Sequence, residues 1–297
     1  MARYTVAGIG EVLWDMLPDG KQLGGAIANA AYHAHALGAQ GVVVSRVGDD
    51  KLGQEIRDRL RELGLRTDTL QIDSEHPTST VDVTVNSEGQ PDYNIHEGVA
   101  WDYITYTDEL QSLKEEVNAV FFGTLASRNA VSRQSISRFL ESLNSESLRV
   151  FDVNLRQTYY SRDILQELLK RTDVLKLNDD ELNVFKEMFA LEGNMKQSLE
   201  QFFTLFNIQT IALTQGSRGS FLLNAEGQED FCPPDESYEI RDTVGAGDSF
   251  CATLTMGLLQ NMELSDINQY ANRIAGYICS CHGATPAIPQ YLTEHFQ

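Results

Sequence analysis

The 297-residue chain has few cysteines, few basic residues and no long hydrophobic run. Four cysteines are too few for a disulfide framework in a chain of this size, so we expect reduced thiols and a cytoplasmic location. Lys and Arg number 23 against 43 Asp and Glu, which gives a net charge of −20. A field of that sign repels phosphate backbones and anionic lipids, which argues against nucleic acid or a membrane as a partner. No apolar run reaches the roughly 20 residues that cross a bilayer, and we expect no signal peptide.

The hydrophobic periodicity alternates between short strands and longer helices. It predicts strands at Tyr4–Gly10, Gly41–Val47, Thr80–Val85, Val117–Phe122, Leu148–Asn154, Asp173–Leu177, Gln209–Thr214 and Gly219–Leu223. It predicts helices at Ala26–Leu37, Leu52–Leu63, Ser132–Leu143, Asp163–Lys170, Asp180–Phe189, Leu199–Phe206, Ala246–Leu259 and Asp266–Cys281. This order is typical of an α/β fold, with a mostly parallel central sheet and helices on both faces.

Two stretches interrupt that alternation. Residues 76–103 give no helix signal and alternate polar with apolar residues around a turn at 86–89, which predicts a two-faced antiparallel hairpin. Residues 11–23 resemble a second piece of the same kind, turning near Pro18. We therefore expect one α/β domain over residues 1–297, with a small β-sheet lid formed by 11–23 and 76–103.

The segment 242–250 is the most informative for chemistry. Gly245, Ala246 and Gly247 open a long apolar helix, so their backbone N–H groups and the helix dipole form a cup suited to an anion. Asp248, just inside the helix, could accept a proton from an attacking hydroxyl. The alternative is a glycine-rich turn with Asp248 as an ordinary first-turn carboxylate.

Two common nucleotide motifs are absent. No Gly-x-x-x-x-Gly-Lys-Ser/Thr loop occurs, and Phe250 takes the place of the third glycine after Gly245 and Gly247. Gly8 and Gly10 follow the first strand, but Leu13 stands where the third glycine belongs. A nicotinamide-dependent oxidoreductase is therefore kept only as an alternative of another class, and a catalytically silent sugar- or nucleotide-binding regulator as a third.

Asp-Thr-x-Gly-Ala-Gly-Asp at 242–248 resembles the C-terminal signature of ribokinase-like (phosphofructokinase-B type) carbohydrate kinases. The resemblance extends over nearly the whole chain and is closest to bacterial fructokinases. It implies transfer of the ATP γ-phosphoryl group to a sugar hydroxyl, with Asp248 as the catalytic base. It also implies that Gly245, Ala246 and Gly247 form the anion hole.

Gly24-Gly25-Ala26-Ile27-Ala28-Asn29 resembles the first signature of that family. The paired glycines Gly24 and Gly25 allow close approach of the backbone to a ligand, and Asn29 offers a donor and an acceptor to a diol. By the same resemblance, Asp15 on the candidate lid binds sugar hydroxyls. The alternative is a glycine-rich turn with an exposed Asn29 and a surface Asp15.

The pattern Asp-x-Asn-x-Arg at 152–156 ends a buried strand, where open α/β sheets bind their ligands. It is similar to the pattern of fructokinases and ketodeoxygluconate kinases. Arg156 could bind a phosphate or a substrate carboxylate through two hydrogen bonds. The alternative is a strand-end ion pair between Asp152 and Arg156.

Asn178 and Glu181 match the family's Asn-x-x-Glu element, which implies a role with Mg²⁺, through water, and with the phosphates. The same spacing is typical of a helix capping box, in which Asn178 caps the helix and Glu181 reaches back. Both interpretations can hold together.

The remaining nucleotide contacts are also implied by the resemblance. The segment 214–219 resembles the nucleotide loop, with contacts from Thr214, Gly216, Ser217, Arg218 and Gly219; an ordinary hairpin loop is the alternative. The late helix with Asn272, followed by 283–286, resembles the wall of the adenine site. Relatives also bind a monovalent cation, such as K⁺, through backbone carbonyls, which would lie here near Asp242, Val244 and Gly283.

The resemblance at 151–156 and 93–102 favours D-fructose as the substrate, phosphorylated at its 6-hydroxyl, with Trp101 covering the ring. Ribose and 2-keto-3-deoxygluconate stay open, the latter because Arg156 could pair with its carboxylate. The exposed edges of the β-layer favour pairing with a second copy, so we expect a homodimer through the lids.

Overall fold

Two β-sheets organise the computed structural model, which describes residues 3–17, 20–85 and 91–296, except for the side chains of 83–85 and 91–93. The strands are β1 (Thr5–Ile9), β2 (Leu13–Leu17), β3 (Gly20–Gly24), β4 (Gln40–Gly48), β5 (Leu70–Asp73), β6 (Thr80–Val85), β7 (Pro91–Ile95), β8 (Ala119–Gly123), β9 (Leu148–Asp152), β10 (Val174–Asn178), β11 (Thr210–Thr214), β12 (Ser220–Asn224) and β13 (Glu229–Cys232). The helices are α1 (Ala26–Ala36), α2 (Lys51–Glu62), α3 (Asp108–Leu113), α4 (Ala130–Ser142), α5 (Arg162–Leu169), α6 (Asp179–Phe189), α7 (Met195–Phe206), α8 (Ala246–Leu259), α9 (Leu264–Cys279) and α10 (Gln290–Thr293).

The larger sheet has nine strands in the order β13-β12-β11-β10-β9-β8-β1-β4-β5. The strands from β11 to β5 pair in parallel, and β12 and β13 are antiparallel to their neighbours. The predicted α/β class and mostly parallel sheet are therefore confirmed. Strands β5 and β13 were not predicted; each is a four-residue strand at an edge of the sheet, with polar residues that carry little apolar periodicity.

Helices cover both faces of the larger sheet, which explains why β8 is apolar throughout. Phe121 faces the cluster formed with α1, α8 and α9, whereas Phe122 faces the cluster formed with α4 to α7. The ring of Phe122 stacks on that of Phe151 in β9, with centroids 5.2 Å apart. A strand buried on both faces has no polar side to present, so periodicity gives way to a continuous apolar run.

The smaller sheet has four strands in the order β3-β2-β6-β7. Strand β2 pairs antiparallel with β3 and parallel with β6, so the two predicted stretches meet in one β-layer apart from the main sheet. The predicted turn at 86–89 and Pro18 lie outside the described residues. Residues 100–103 form a short 3₁₀ turn rather than extended chain.

Within the described ranges, no helix has both the length and the apolar character needed to cross a bilayer.

Candidate active site

Asp248 lies in the first turn of α8, behind the turn formed by Gly245 and Gly247. Gly245 caps the helix with a φ of 82°, and a Cβ there would lie 2.5 Å from the backbone oxygen of Ala284. Both observations require glycine at this position. The N–H groups of Gly247 and Asp248 have no carbonyl one turn earlier in the helix, so they can face an anion at the helix start.

The carboxylate of Asp248 is held by Asn29 from α1, whose Nδ2 donates to Oδ2 at 2.9 Å. Burial raises the pKa of Asp248 to about 6, and the nearby charge of Asp152 acts in the same direction. The hydrogen bond from Asn29 and the charges of Lys176 and Arg156 oppose that rise. A carboxyl with this pKa is ionised at neutral pH and is a stronger base than an exposed aspartate, which suits proton abstraction.

The first predicted signature brings Asp15 and Asn29 to the same region. A Cβ on Gly24 would overlap the Asp15 carboxylate, and Gly25, with a φ of 111°, packs against the backbone oxygen of Glu11. Asn29 is only 4% exposed, so the alternative of an exposed Asn29 is wrong. Burial also raises the pKa of Asp15 to about 6, so it is no ordinary surface carboxylate.

Glu11 is a buried carboxyl near Asp248 that the sequence patterns did not predict. It follows β1, is 3% exposed, and its Oε2 has no hydrogen-bond partner among the described residues. Burial raises the pKa of Glu11 to about 7, and the charge of Asp248 adds to that rise. The Oδ1 atom of Asn29 is likewise buried without a partner in the described part of the chain. Buried acceptors of this kind need a donor, and the described residues supply none to these two atoms. The sequence signal for Glu11 was its place directly after Gly10, at the end of a buried strand.

Arg156 lies in the exposed loop that follows β9, close enough for its charge to lower the pKa values of Glu11, Asp15 and Asp248. The alternative ion pair with Asp152 is wrong, because Asp152 pairs with another cation. The Nζ atom of Lys176 in β10 donates to Oδ1 of Asp152 at 2.9 Å.

Asn178 and Glu181 form the predicted capping box of α6. Oδ1 of Asn178 accepts from the N–H of Glu181 at 2.9 Å, and Oε2 of Glu181 accepts from the N–H of Asn178 at 2.8 Å. Oε1 of Glu181 accepts from the N–H of Leu155 at 3.0 Å. The described residues include no group of three His, Cys, Asp or Glu that could hold a metal ion. Since both Glu181 oxygens already bind backbone donors, this carboxylate fits contact with Mg²⁺ through water better than direct ligation.

The loop between β11 and β12 contains a 3₁₀ turn at Gly216–Arg218. Gly216 has a φ of 55° with open space around its Cα, and Arg218 forms an ion pair with Asp179 at the start of α6. Gly219 has a φ of 97° and packs on the backbone oxygen of Cys232. The loop therefore meets the start of α6, at the carboxyl ends of β10 and β11, where such sheets bind ligands.

Three further predicted residues have defined positions around this loop. Thr214 ends β11, and its Oγ1 donates to the backbone oxygen of Leu177 at 3.4 Å. Ser217 is an exposed residue of the 3₁₀ turn. Asn272 of α9 donates from Nδ2 to Oγ of Ser220 at 2.6 Å, which places it beside the first residue of β12, directly after the loop.

The side chain of Asp242 connects the three residues predicted to bind a monovalent cation, which are Asp242, Val244 and Gly283. Oδ1 of Asp242 accepts from the N–H of Val244 at 3.0 Å, and its Oδ2 accepts from the N–H of Gly283 at 3.1 Å. Asp242 therefore fixes the loop before α8 to the chain that follows α9.

The prediction that Trp101 covers a sugar ring is wrong. Its side chain is fully buried in the core on one face of the main sheet. The guanidinium of Arg128 lies 4.1 Å from its ring centroid and pairs with Asp102 at 2.8 Å. The indole is a packing residue because this ion pair and the apolar cluster enclose it.

The pfkB family carbohydrate kinase profile matches residues 19–290. A sugar kinase of Pyrococcus horikoshii is 27% identical over 97% of this chain and 94% of its own length. Its solved structure in complex with ATP matches this fold with a TM-score of 0.84 over 98% of this chain and 100% of that one, at 25% identity.

Two further relatives carry names of different substrate classes. An ATP-dependent 6-phosphofructokinase of Thermoanaerobacterium thermosaccharolyticum is 25% identical over 98% of this chain and 92% of its own length. A fructokinase of Vibrio alginolyticus is 26% identical over 94% of each chain.

The fold is ribokinase-like, and the relatives define an ATP-dependent sugar kinase. The chain belongs to the pfkB family of carbohydrate kinases. The nicotinamide alternative loses its support, because the family match is to carbohydrate kinases. Gly8 lies inside β1, where the absence of a side chain lets α1 pack closely at Ile27.

Proposed function

We propose that this kinase phosphorylates D-fructose at its 6-hydroxyl, with MgATP as the phosphoryl donor. The observation that carries the proposal is Asp248 at the start of α8, hydrogen-bonded to Asn29 and next to the free N–H groups of the glycine turn. Glu11 and Asp15 lie within electrostatic reach of the same cation, Arg156, as Asp248 does.

In the proposed reaction, Asp248 takes the proton of the 6-hydroxyl as the sugar oxygen forms a bond to the γ-phosphorus. The bond between that phosphorus and the bridging oxygen breaks, and its electron pair leaves with ADP. The anion hole of Gly245, Ala246 and Gly247 stabilises the charge on the transferring group, with N–H donors from the first turn of α8. Arg156 adds a positive charge from the loop after β9.

The nucleotide is proposed to lie along the 214–219 loop, with Asn272 beside it. Mg²⁺ neutralises charge between the phosphates when bound, and Asn178 and Glu181 would hold its water shell. The three residues joined by Asp242 are the proposed place for K⁺, through their backbone carbonyls.

The charges around the sugar site favour a neutral polyol. Three carboxyl groups, those of Glu11, Asp15 and Asp248, share Arg156 as a common cation. A phosphorylated sugar brings two more negative charges into this group, and like charges at close range are costly. Ribose and 2-keto-3-deoxygluconate are the competing substrates. The carboxylate of 2-keto-3-deoxygluconate would have to compete with Glu11, Asp15 and Asp248 for the positive charge of Arg156.

A sugar panel with ATP and Mg²⁺ tests this proposal. We expect fructose to give the highest kcat/KM, above ribose, 2-keto-3-deoxygluconate and fructose 6-phosphate. Asp248→Ala should lower kcat by about 10²–10⁴-fold, the contribution of a general base. Asp266→Ala, at an exposed position in α9, is the matched control and should keep full activity. Higher turnover of any competitor rejects fructose, and near-normal activity of Asp248→Ala rejects the base.

The four-stranded sheet is the proposed lid, and its edges are the proposed homodimer contact. Strands β3 and β7 each leave one edge without a partner strand within the described chain. Such edges favour pairing with a second copy. Light scattering at micromolar concentration should give twice the chain mass of 33.2 kDa. A monomer mass would contradict the proposal.

A further inference from the structure

A buried ion pair lies directly behind the glycine turn of α8. Lys176 and Asp152 are register partners on the parallel strands β10 and β9, so their side chains emerge on the same face. The side chains are 9% and 3% exposed, and Nζ lies 2.9 Å from Oδ1. A Cβ on Gly247 would lie 3.0 Å from this Nζ. The ammonium therefore lies against the backbone of the proposed anion hole.

A pure packing role explains this pair poorly. Removing two charges from water is expensive, and well-packed apolar residues stabilise an interior about as well as a buried pair or better. The main sheet supplies such residues on both sides of the pair, for example Phe151 and Leu177. A charged pair at this position can act on Asp248 and on the glycine turn, which apolar residues could not do.

Charged groups face Asp248 from several elements. Glu11 comes from the end of β1, Asp152 from β9, Lys176 from β10 and Arg156 from the loop after β9. The amide of Asn29 on α1 donates directly to the carboxylate.

Two more groups face the ammonium of Lys176 itself. Glu181 of α6 is a buried carboxyl, and Cys251 follows Asp248 by one helical turn on α8. Burial raises the pKa of both groups, which limits the negative charge of Cys251 near the pair.

We propose that Lys176 and Asp152 are positioning residues for the proposed phosphoryl transfer, acting through Asp248 and the glycine turn. The ammonium of Lys176 favours the ionised carboxylate of Asp248, and Asp152 fixes the ammonium at the turn while opposing that effect. This inference rests on the proposed role of Asp248 as the base. The charge of Lys176 lowers the pKa of Asp248, and the charge of Asp152 raises it.

Because the charges of Lys176 and Asp152 have opposite signs, removing one or the other should shift the pH dependence of kcat in opposite directions. A purely structural role predicts no such shifts. We would measure kcat against pH at saturating fructose and ATP for the wild type, Lys176→Met, Asp152→Asn and the double variant. Loss of the Lys176 charge should move the acid limb of the kcat–pH profile to higher pH by about one unit or more, which is the effect of a close charge. Loss of the Asp152 charge should move it to lower pH, and the double variant should lie between the two. Lys176→Arg, which keeps the charge, should keep the wild-type limb.

Carbon NMR of the Asp248 carboxyl provides a second measurement, because it follows protonation in a variant that has lost turnover. Near-ultraviolet circular dichroism establishes that each variant is folded. The inference is wrong if folded variants lose kcat while the acid limb of the kcat–pH profile and the NMR titration of Asp248 do not shift. That result would not contradict the role of Asp248 as the base. If the wild type turns over no sugar, or Asp248→Ala keeps its activity, the proposed function fails instead. In that case the NMR titrations still decide whether the pair acts on Asp248.

Discussion

Replacing the proposed base should stabilise the protein while abolishing its activity. Burial raises the pKa of Asp248 from 3.8 to about 6. The folded chain therefore binds the proton more tightly than the unfolded chain, and ionisation of Asp248 at neutral pH opposes folding. A difference of about 2 pKa units corresponds to about 3 kcal/mol. Asp248→Asn removes this cost, since the amide is neutral and its oxygen can still accept from Asn29.

The sign of this effect fixes its pH dependence. The contribution of Asp248 to stability is full below the unfolded pKa of 3.8 and is lost as the pH rises through about 6. Asp248→Asn should therefore gain about 3 kcal/mol at about pH 7.5 but under about 1 kcal/mol at about pH 4. Urea unfolding at both pH values measures the two differences. Asp266→Asn, the same substitution at an exposed position in the first turn of α9, should gain nothing at neutral pH and lose at most about 1 kcal/mol, the helix-dipole contribution.

A gain that is equal at both pH values, or a loss of stability at neutral pH, would refute this reasoning. The first result would mean that the amide improves packing rather than removing a charge. The second would mean that contacts of the ionised carboxylate outweigh its burial.

Three other results are expected. The kcat of the wild type should fall about tenfold per pH unit below about pH 6, because Asp248 must be ionised to accept a proton; a flat profile to pH 5 would contradict this. Gly24→Ala should raise the fructose KM by about tenfold or more without changing that for ATP, because the new methyl group displaces Asp15; equal effects on both would point to general misfolding. Trp101→Ala should cost about 3–5 kcal/mol in urea unfolding, yet leave the fructose KM of the folded protein within about twofold. A raised KM with normal stability would return Trp101 to the sugar site.

Local sequence patterns predicted most of the architecture. The bounds of β6 and α8 coincide with the prediction, because β6 alternates polar with apolar residues and α8 is a long apolar run that begins at a glycine turn. The glycine turn before Asp248 was also predictable, since Gly245, Gly247 and Asp248 are close neighbours in the chain and their geometry follows from one helix start.

Features that depend on distant partners were not predictable. The partner of Asp152 is decided by the register between β9 and β10, which places Lys176 beside it and leaves Arg156 in the loop. The burial of Trp101 depends on Arg128, which lies 27 positions later. An aromatic residue in a lid-like sequence gives no sign of such a partner.

The hydrogen bond between Asn29 and Asp248 joins residues that are 219 positions apart. At about 5–20 residues per second, a ribosome takes roughly 10–40 s to synthesise the intervening segment. During that time α8 is not yet available, so the apolar face of α1 that packs on α8 in the folded protein is exposed or covered by other groups. Nascent chains that end before residue 248 therefore lack the proposed base and leave Asn29 without its partner.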